Sequence, residues 1–280
     1  MDHKKMDFSE RFARVMNPRA YLQVNVPAVS IAVISYLIWI LFHNTDPDQF
    51  WCWQNILLAY LIGTFRSYFY VIYLFIKFDN RRKYFTELHK KMESERTFIG
   101  HVVMCCIRTS FSANIMQLCN ILGTFYFFGI RDEFDEYTPF TPYGIIKKLV
   151  LFTIEMFIWE IFFDFGHYWG HRMGHYFKWL YDFGHSKHHE NISPDAFDGL
   201  NITLDDAMLT NWVPHMFSMF LTTVLIFGGR PFSLFEYHLL SSYKTFVEVT
   251  GHVGVDFKGH SFPMFPPLAY YTGIDIGTAA

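Results

Sequence analysis

Two long, almost uninterrupted apolar stretches come early in this chain, Val26 to Phe42 and Phe50 to Phe78, the second broken mainly by Arg66. Each is long enough for a helix to cover a hydrocarbon core about 30 Å thick, so both predict membrane-spanning helices. The polar segment between them, His43 to Gln49, holds two carboxylates and no lysine or arginine. Outside them lie Lys4, Lys5, Arg11, Arg14 and Arg19 on one side and Arg81, Arg82, Lys83, Lys90, Lys91 and Arg96 on the other. Basic flanks stay in the cytosol, so the pattern predicts a hairpin with both ends cytosolic. A second pair follows: Phe98 to Ile130, interrupted at Arg108, then Leu149 to Phe163. The turn joining them sets Asp132, Glu133, Asp135 and Glu136 against one arginine, Arg131, and reads as non-cytosolic. A further stretch, Trp212 to Phe227, reaches the turn Gly228-Gly-Arg-Pro231 and continues from Phe232 to Val249; the pattern leaves open whether it spans or dips in and returns. Either a hairpin or a re-entrant pair brings His252 back to the cytosolic side.

The expected fold is therefore all-α: an integral membrane protein with two N-terminal transmembrane helical hairpins and a helical domain on the cytosolic face. The division falls at 1–146 and 147–280. Buried core helices of a soluble protein are the alternative, and four long runs with alternating charged flanks argue against it.

Composition agrees, with half the residues hydrophobic and one in five aromatic. A formal charge of only -3 and the lack of a basic tract exclude a nucleic-acid role. Cys52, Cys105, Cys106 and Cys119 sit in apolar runs without Cys-x-x-Cys spacing, which predicts buried thiols rather than disulfides or a thiolate zinc site. Met1 to Tyr21 is charged and polar, unlike a cleaved signal peptide, and no internal repeat is visible.

Histidine then changes the picture. Six of the fourteen histidines fall within the 23 residues from His167 to His189. His167, His171 and His175 recur every fourth residue, so on a helix they form one stripe, and the same face carries Asp164 and Glu160 one and two turns earlier. A carboxylate one turn from an imidazole commonly accepts the ring's second N–H and aims the other nitrogen at a metal, which makes Asp164 the natural supporting group. The second group, His185-Ser-Lys-His188-His189-Glu190, adds three imidazoles. An all-nitrogen set without thiolate suits iron, zinc or copper. No His-Glu-x-x-His motif is present, so a zincin-type peptidase is excluded.

These boxes resemble those of the fatty acid hydroxylase and sterol desaturase superfamily. Its first box, Asp-x-x-x-Tyr-Trp-x-His-Arg-x-x-His, is matched by Asp164, Tyr168, Trp169, His171, Arg172 and His175, which leaves His167 as an extra ligand candidate. Its second, His-x-x-His-His, is matched by His185, His188 and His189, with Lys178 to Tyr181 before it and Glu190 and Pro194 after it, much as in sterol C-4 methyl oxidases. A later His-x-Gly element is similar to His252-Val-Gly254, followed by Asp256-Phe257. Two positions depart from the family. A downstream His-Pro is replaced by Thr203-Leu204, with Asp205 and Asp206 following, and no last His-x-x-His-His occurs before Ala280. The resemblance implies that the domain as written is incomplete, either a fragment or an inactive member.

The resemblance also implies a di-iron oxygenase that hydroxylates a lipid C–H bond, with a 4-methyl sterol as the preferred substrate. Its metal ligands would be His171, His175, His185, His188, His189 and His252, with His167 as an extra and Asp164 supporting. Electrons would come from a cytochrome b5-type donor, and the location would be the endoplasmic reticulum membrane with the boxes facing the cytosol. Acyl-lipid desaturation and fatty acid or sphingoid hydroxylation are alternatives. An inactive homologue that binds metal structurally is the alternative of another class. The sequon Asn201-Ile-Thr203 is expected to carry no glycan, because it should face the cytosol.

Overall fold

The computed structural model describes residues 18–44, 51–82, 98–189 and 196–253, and these are helical without a strand ladder. Seven helical elements follow in order: α1 (Pro18–Phe42), α2 (Trp53–Arg82), α3 (98–128), α4 (Pro142–Tyr176), α5 (178–188), α6 (Leu204–Ile226) and α7 (Leu234–Gly251). Helices α3 and α5 each contain one π-helical segment and α6 two; Tyr181–His185 in α5 and Met208–Trp212 in α6 lie against the histidines.

Side-chain pairs fix how the helices run. α7 packs antiparallel on α1, with His238 near Trp39, Ser242 donating to the Ala28 carbonyl at 2.7 Å, and Tyr243 bonded to Asn25. Pro27 removes one N–H from α1, and the carbonyl it leaves free, that of Gln23, accepts from the Tyr73 hydroxyl at 3.5 Å. α2 and α3 are tied by Arg66–Gln117 and Tyr68–Ser110 contacts, and α6 lies between α3 and α4 through Thr124–His215 and Trp159–His215. Outward-facing side chains on these helices are large and apolar, including Leu37, Leu41, Leu57, Leu61 and Ile76, as expected of a surface that meets lipid.

Four helices among the described residues are long and apolar enough to cross a membrane: Leu22–Phe42, Trp53–Lys77, Val102–Phe128 and Leu204–Ile226. The first three match the expected runs. The fourth replaces Leu149 to Phe163, which is embedded in the 35-residue α4 and carries Glu155 and Glu160, both turned inward and buried. A run counted as apolar in one dimension thus has a charged stripe in three. Glu155 is met by Arg230 at 2.6 Å. The undecided 212–249 region resolves into α6, a turn through Gly228 and Gly229 at positive φ, and α7.

The acidic segment before α4 folds back on the bundle. Arg131 pairs with Glu236 at 2.6 Å and Asp135 at 3.3 Å, and Lys148 pairs with Glu133 at 2.7 Å. Ser233 and Glu236 form a reciprocal cap that starts α7 at this same end. Exposed Trp51, Trp53, Tyr126, Tyr137 and Tyr143 ring it, while Tyr168, Trp169, Tyr176 and Trp179 crowd the opposite end, a distribution suited to two membrane–water interfaces. Cys105 is buried, the other three cysteines are half-buried, and all four are free thiols. The basic segments 1–17 and 83–97, Glu190, Pro194 and the 254–280 segment lie outside the described residues.

Candidate metal centre

At the far end of α4 the histidine stripe meets α5, α6 and the end of α7. His171, His175, His185 and His189 bring four ring nitrogens within 4.8 Å of one another. Nε2 of His171 and His175 are 3.2 Å apart, and Nε2 of His185 and His189 are 3.1 Å apart. Two imidazoles sharing one ion through bonds of about 2.0–2.1 Å place their nitrogens about 3.0–3.4 Å apart, so these spacings fit a common metal. A second pair adjoins the first group: Nε2 of His188 lies 3.3 Å from Nε2 of His252, although 64 residues separate them. The buried Nδ1 of His188 has no protein partner. His167 stacks on Phe163 with its ring 6.0 Å from that of His171, and it lines the cavity beside the group.

Backbone and side-chain acceptors decide which nitrogen each ring presents. His185 Nδ1 donates to Asp206 at 2.8 Å with both side chains buried, which turns Nε2 toward the group. His167 Nδ1 donates to the Thr210 carbonyl at 2.6 Å and His252 Nδ1 to the Glu248 carbonyl at 2.9 Å. Asp206 is the supporting carboxylate that reasoning along one helix missed, since it stands 21 residues away. It follows Thr203-Leu204, the pair expected to stand where the resemblance implies a His-Pro. Asp164 lines the cavity.

A second stripe, displaced by one residue, makes this convergence possible: Gly166, Gly170 and Gly174 each precede a histidine. A Cβ on Gly170 would come within 2.7 Å of the Leu209 carbonyl oxygen in α6, and one on Gly174 within 3.0 Å of the His185 ring. The repeat Gly-His-x-x-Gly-His-x-x-Gly-His was a visible signal of close packing. Gly174→Ala is expected to push the His185 ring aside and lower metal affinity about tenfold, the low end of what disturbed outer support costs. Titration with a metal-sensitive dye checks it, and unaltered affinity would show that the ring is not held from that side.

Burial and mutual repulsion disfavour the protonated form of His167, His171, His175, His188 and His189. His171 is lowered to about 3 by burial and then by His185 and His167, and His188 to about 3 by burial and then His252. His189 falls to about 4 by burial, then His185 and His175, and His167 to about 4 by burial and then Lys244. Neutral imidazoles offer lone pairs, which a metal requires. Each of these pKa values lies below the unfolded value of about 6.5, so the unfolded chain binds more protons between about pH 4 and 6.5. Stability of the metal-free protein is therefore expected to be full above pH 6.5 and to fall as pH drops toward 4, which thermal unfolding across that window measures.

A cavity of about 400 Å³ opens directly on the histidines. Phe163, Phe165, Ile202 and Val247 supply apolar wall, and Asn211, Lys244 and Glu248 a polar one. Its volume is in the range of small-ligand sites.

Fold and site together describe a helical bundle with four helices long and apolar enough to cross a membrane and, at one end, a histidine cluster able to hold a metal ion. Residues 156–274 match the family described as fatty acid hydroxylase. This match covers less than half of the chain and supports its resemblance to the fatty acid hydroxylase and sterol desaturase superfamily. No curated protein and no solved structure matches the chain.

Asn201 is buried, and its Oδ1 accepts from Arg108 at 3.2 Å. Absence of a glycan there would follow from burial alone, so the sequon does not report topology.

Proposed function

We propose that this protein hydroxylates a C–H bond of a membrane lipid, with a 4-methyl sterol as the first candidate, at a centre that holds iron. The observation that carries the reading is the convergence of histidine ring nitrogens beside a cavity of about 400 Å³ with an apolar wall. The all-imidazole donor set fits iron. His171, His175, His185 and His189 would hold one ion, and His188 with His252 would contribute to a second, with His167 adjoining. When bound, iron supplies the redox chemistry by which dioxygen is reduced with two electrons and two protons, yielding hydroxylated lipid and one water.

The residues themselves do the positioning. Asp206 fixes the aim of His185, and Thr210 and Glu248 carbonyls fix His167 and His252. Phe163, Phe165, Ile202 and Val247 receive hydrocarbon and exclude water. The chain carries no Gly-x-Gly-x-x-Gly fingerprint, so electrons would arrive from a separate cytochrome b5-type donor. The proposed setting is the endoplasmic reticulum membrane, with the histidines toward the cytosol.

The test is expression in cells lacking sterol C-4 methyl oxidase, followed by sterol profiling and metal analysis. Loss of accumulated 4-methyl sterols, abolished by replacing His188 and His189 with alanine, supports the proposal. A new double bond in acyl lipids would instead indicate a desaturase. Unchanged lipids together with one zinc per chain and no iron would overturn oxidation in favour of a structural metal site.

A further inference from the structure

Arg66 lies in the interior of α2, and its side chain is 4% exposed. One guanidinium nitrogen donates to Gln117 Oε1 at 2.9 Å, and Gln117 in turn donates to Ser67 at 2.8 Å. The other two, Nε and Nη1, are buried without an acceptor. A guanidinium keeps its proton, so the group remains a cation inside the bundle. Its electrostatic neighbours are Tyr237 and Tyr70, neither of them a carboxylate. Glu248, which lines the same cavity, is engaged by Lys244, His252 and Asn211.

That cavity is small, about 30 Å³, and is walled by Arg66, Gln117, Asn120, Trp159, His215 and Tyr237 among others. A space of this size admits one or two water-sized groups. A hydrocarbon tail would meet a polar wall, and a lipid headgroup would not fit. Water can accept the spare N–H bonds but leaves the positive charge uncompensated, and a buried unpaired charge is far costlier than a buried polar group. Intramembrane ionisable residues are retained where they have a partner or a task.

We propose that Arg66 and the polar walls around it form an intramembrane binding site for one small monovalent anion of halide size. The anion accepts from Nε and Nη1 of Arg66 and supplies a counter-charge that no described residue places against it. Asn211, Lys244 and Glu248 line both this cavity and the larger one at the histidines, so anion occupancy braces a wall of the metal centre. The proposal does not depend on the lipid-oxidation reading.

Thermal unfolding of the purified full chain in detergent, at fixed ionic strength, compares bromide or chloride with gluconate, which is too large to enter. The expected result is a saturable halide-dependent rise in Tm of about 5 °C at a hundredfold excess over Kd. Arg66→Gln should abolish that dependence. Equal Tm values in halide and gluconate, or the same halide effect in Arg66→Gln, overturn the proposal. Should the variant not fold, a crystal of the unaltered protein grown in sodium bromide decides. An anomalous peak beside the Arg66 guanidinium supports the site, and its absence, meaning water only, refutes it.

Discussion

His185→Ala is expected to empty the four-histidine group of metal and to abolish lipid oxidation, a larger loss than at any single supporting residue. His185 is buried, its Nε2 faces His189 at 3.1 Å, and its ring stands against both His171 and His175 at centroid distances of 4.5 and 4.6 Å. It is thus close to all three others, and it is the buried member of the four. Its removal also leaves Asp206, 4% exposed, as a carboxylate without its imidazole partner. Asp206→Asn keeps the shape but weakens the aim of the ring, and is expected to lower metal affinity 10–100-fold. Metal content by plasma emission spectrometry and product formation should rank the two variants in that order. A His185→Ala protein with full metal content would show that the four-nitrogen group is not the metal site.

The largest expected effect on folding lies at the opposite end of the bundle. Glu236 is 1% exposed; it accepts from Arg131 at 2.6 Å and from the Ser233 backbone N–H at 2.8 Å. Glu236→Ala therefore removes a cap and leaves a guanidinium, itself only 9% exposed, with the more exposed Asp135 as its remaining ion pair and the Pro231 carbonyl as a neutral acceptor. Removing one member of a buried pair costs about 3–5 kcal/mol. For a chain of this length, that corresponds to a Tm lowered by about 10 °C. Replacing Arg131 by methionine in the same chain should recover part of the loss, because no buried charge is then stranded. A Tm drop of under about 2 °C in the single variant would mean that the pair is solvated and contributes little.

Much of the architecture was legible because membrane helices advertise themselves: with no water to satisfy the backbone, each span must be one long apolar helix. That argument worked for α1, α2 and α3. It misplaced the fourth candidate span because Leu149 to Phe163 and α6 are similarly apolar, and only packing shows that α4 turns Glu155 and Glu160 inward. The histidines of α4 were visible as a stripe because helical period is a local property. Asp206 was not, because its partner lies across a chain reversal that no periodicity encodes. Arg66 appeared only as an interruption in an apolar run, and its significance rests on neighbours from α3 and α7.

Residue order alone pointed to a helical chain with apolar spans, a histidine cluster suited to a metal and a likeness to lipid hydroxylases. Hydropathy, charge bias and four-residue spacing act over one helix or less, so they survive in one dimension. Tertiary packing decided the rest: that His188 meets His252, that His185 leans on Asp206, and that glycines on α4 let the second histidine group close on the first. Those contacts join side chains brought together by helix crossings, whose geometry depends on the shape of every facing surface and not on the spacing within any one of them.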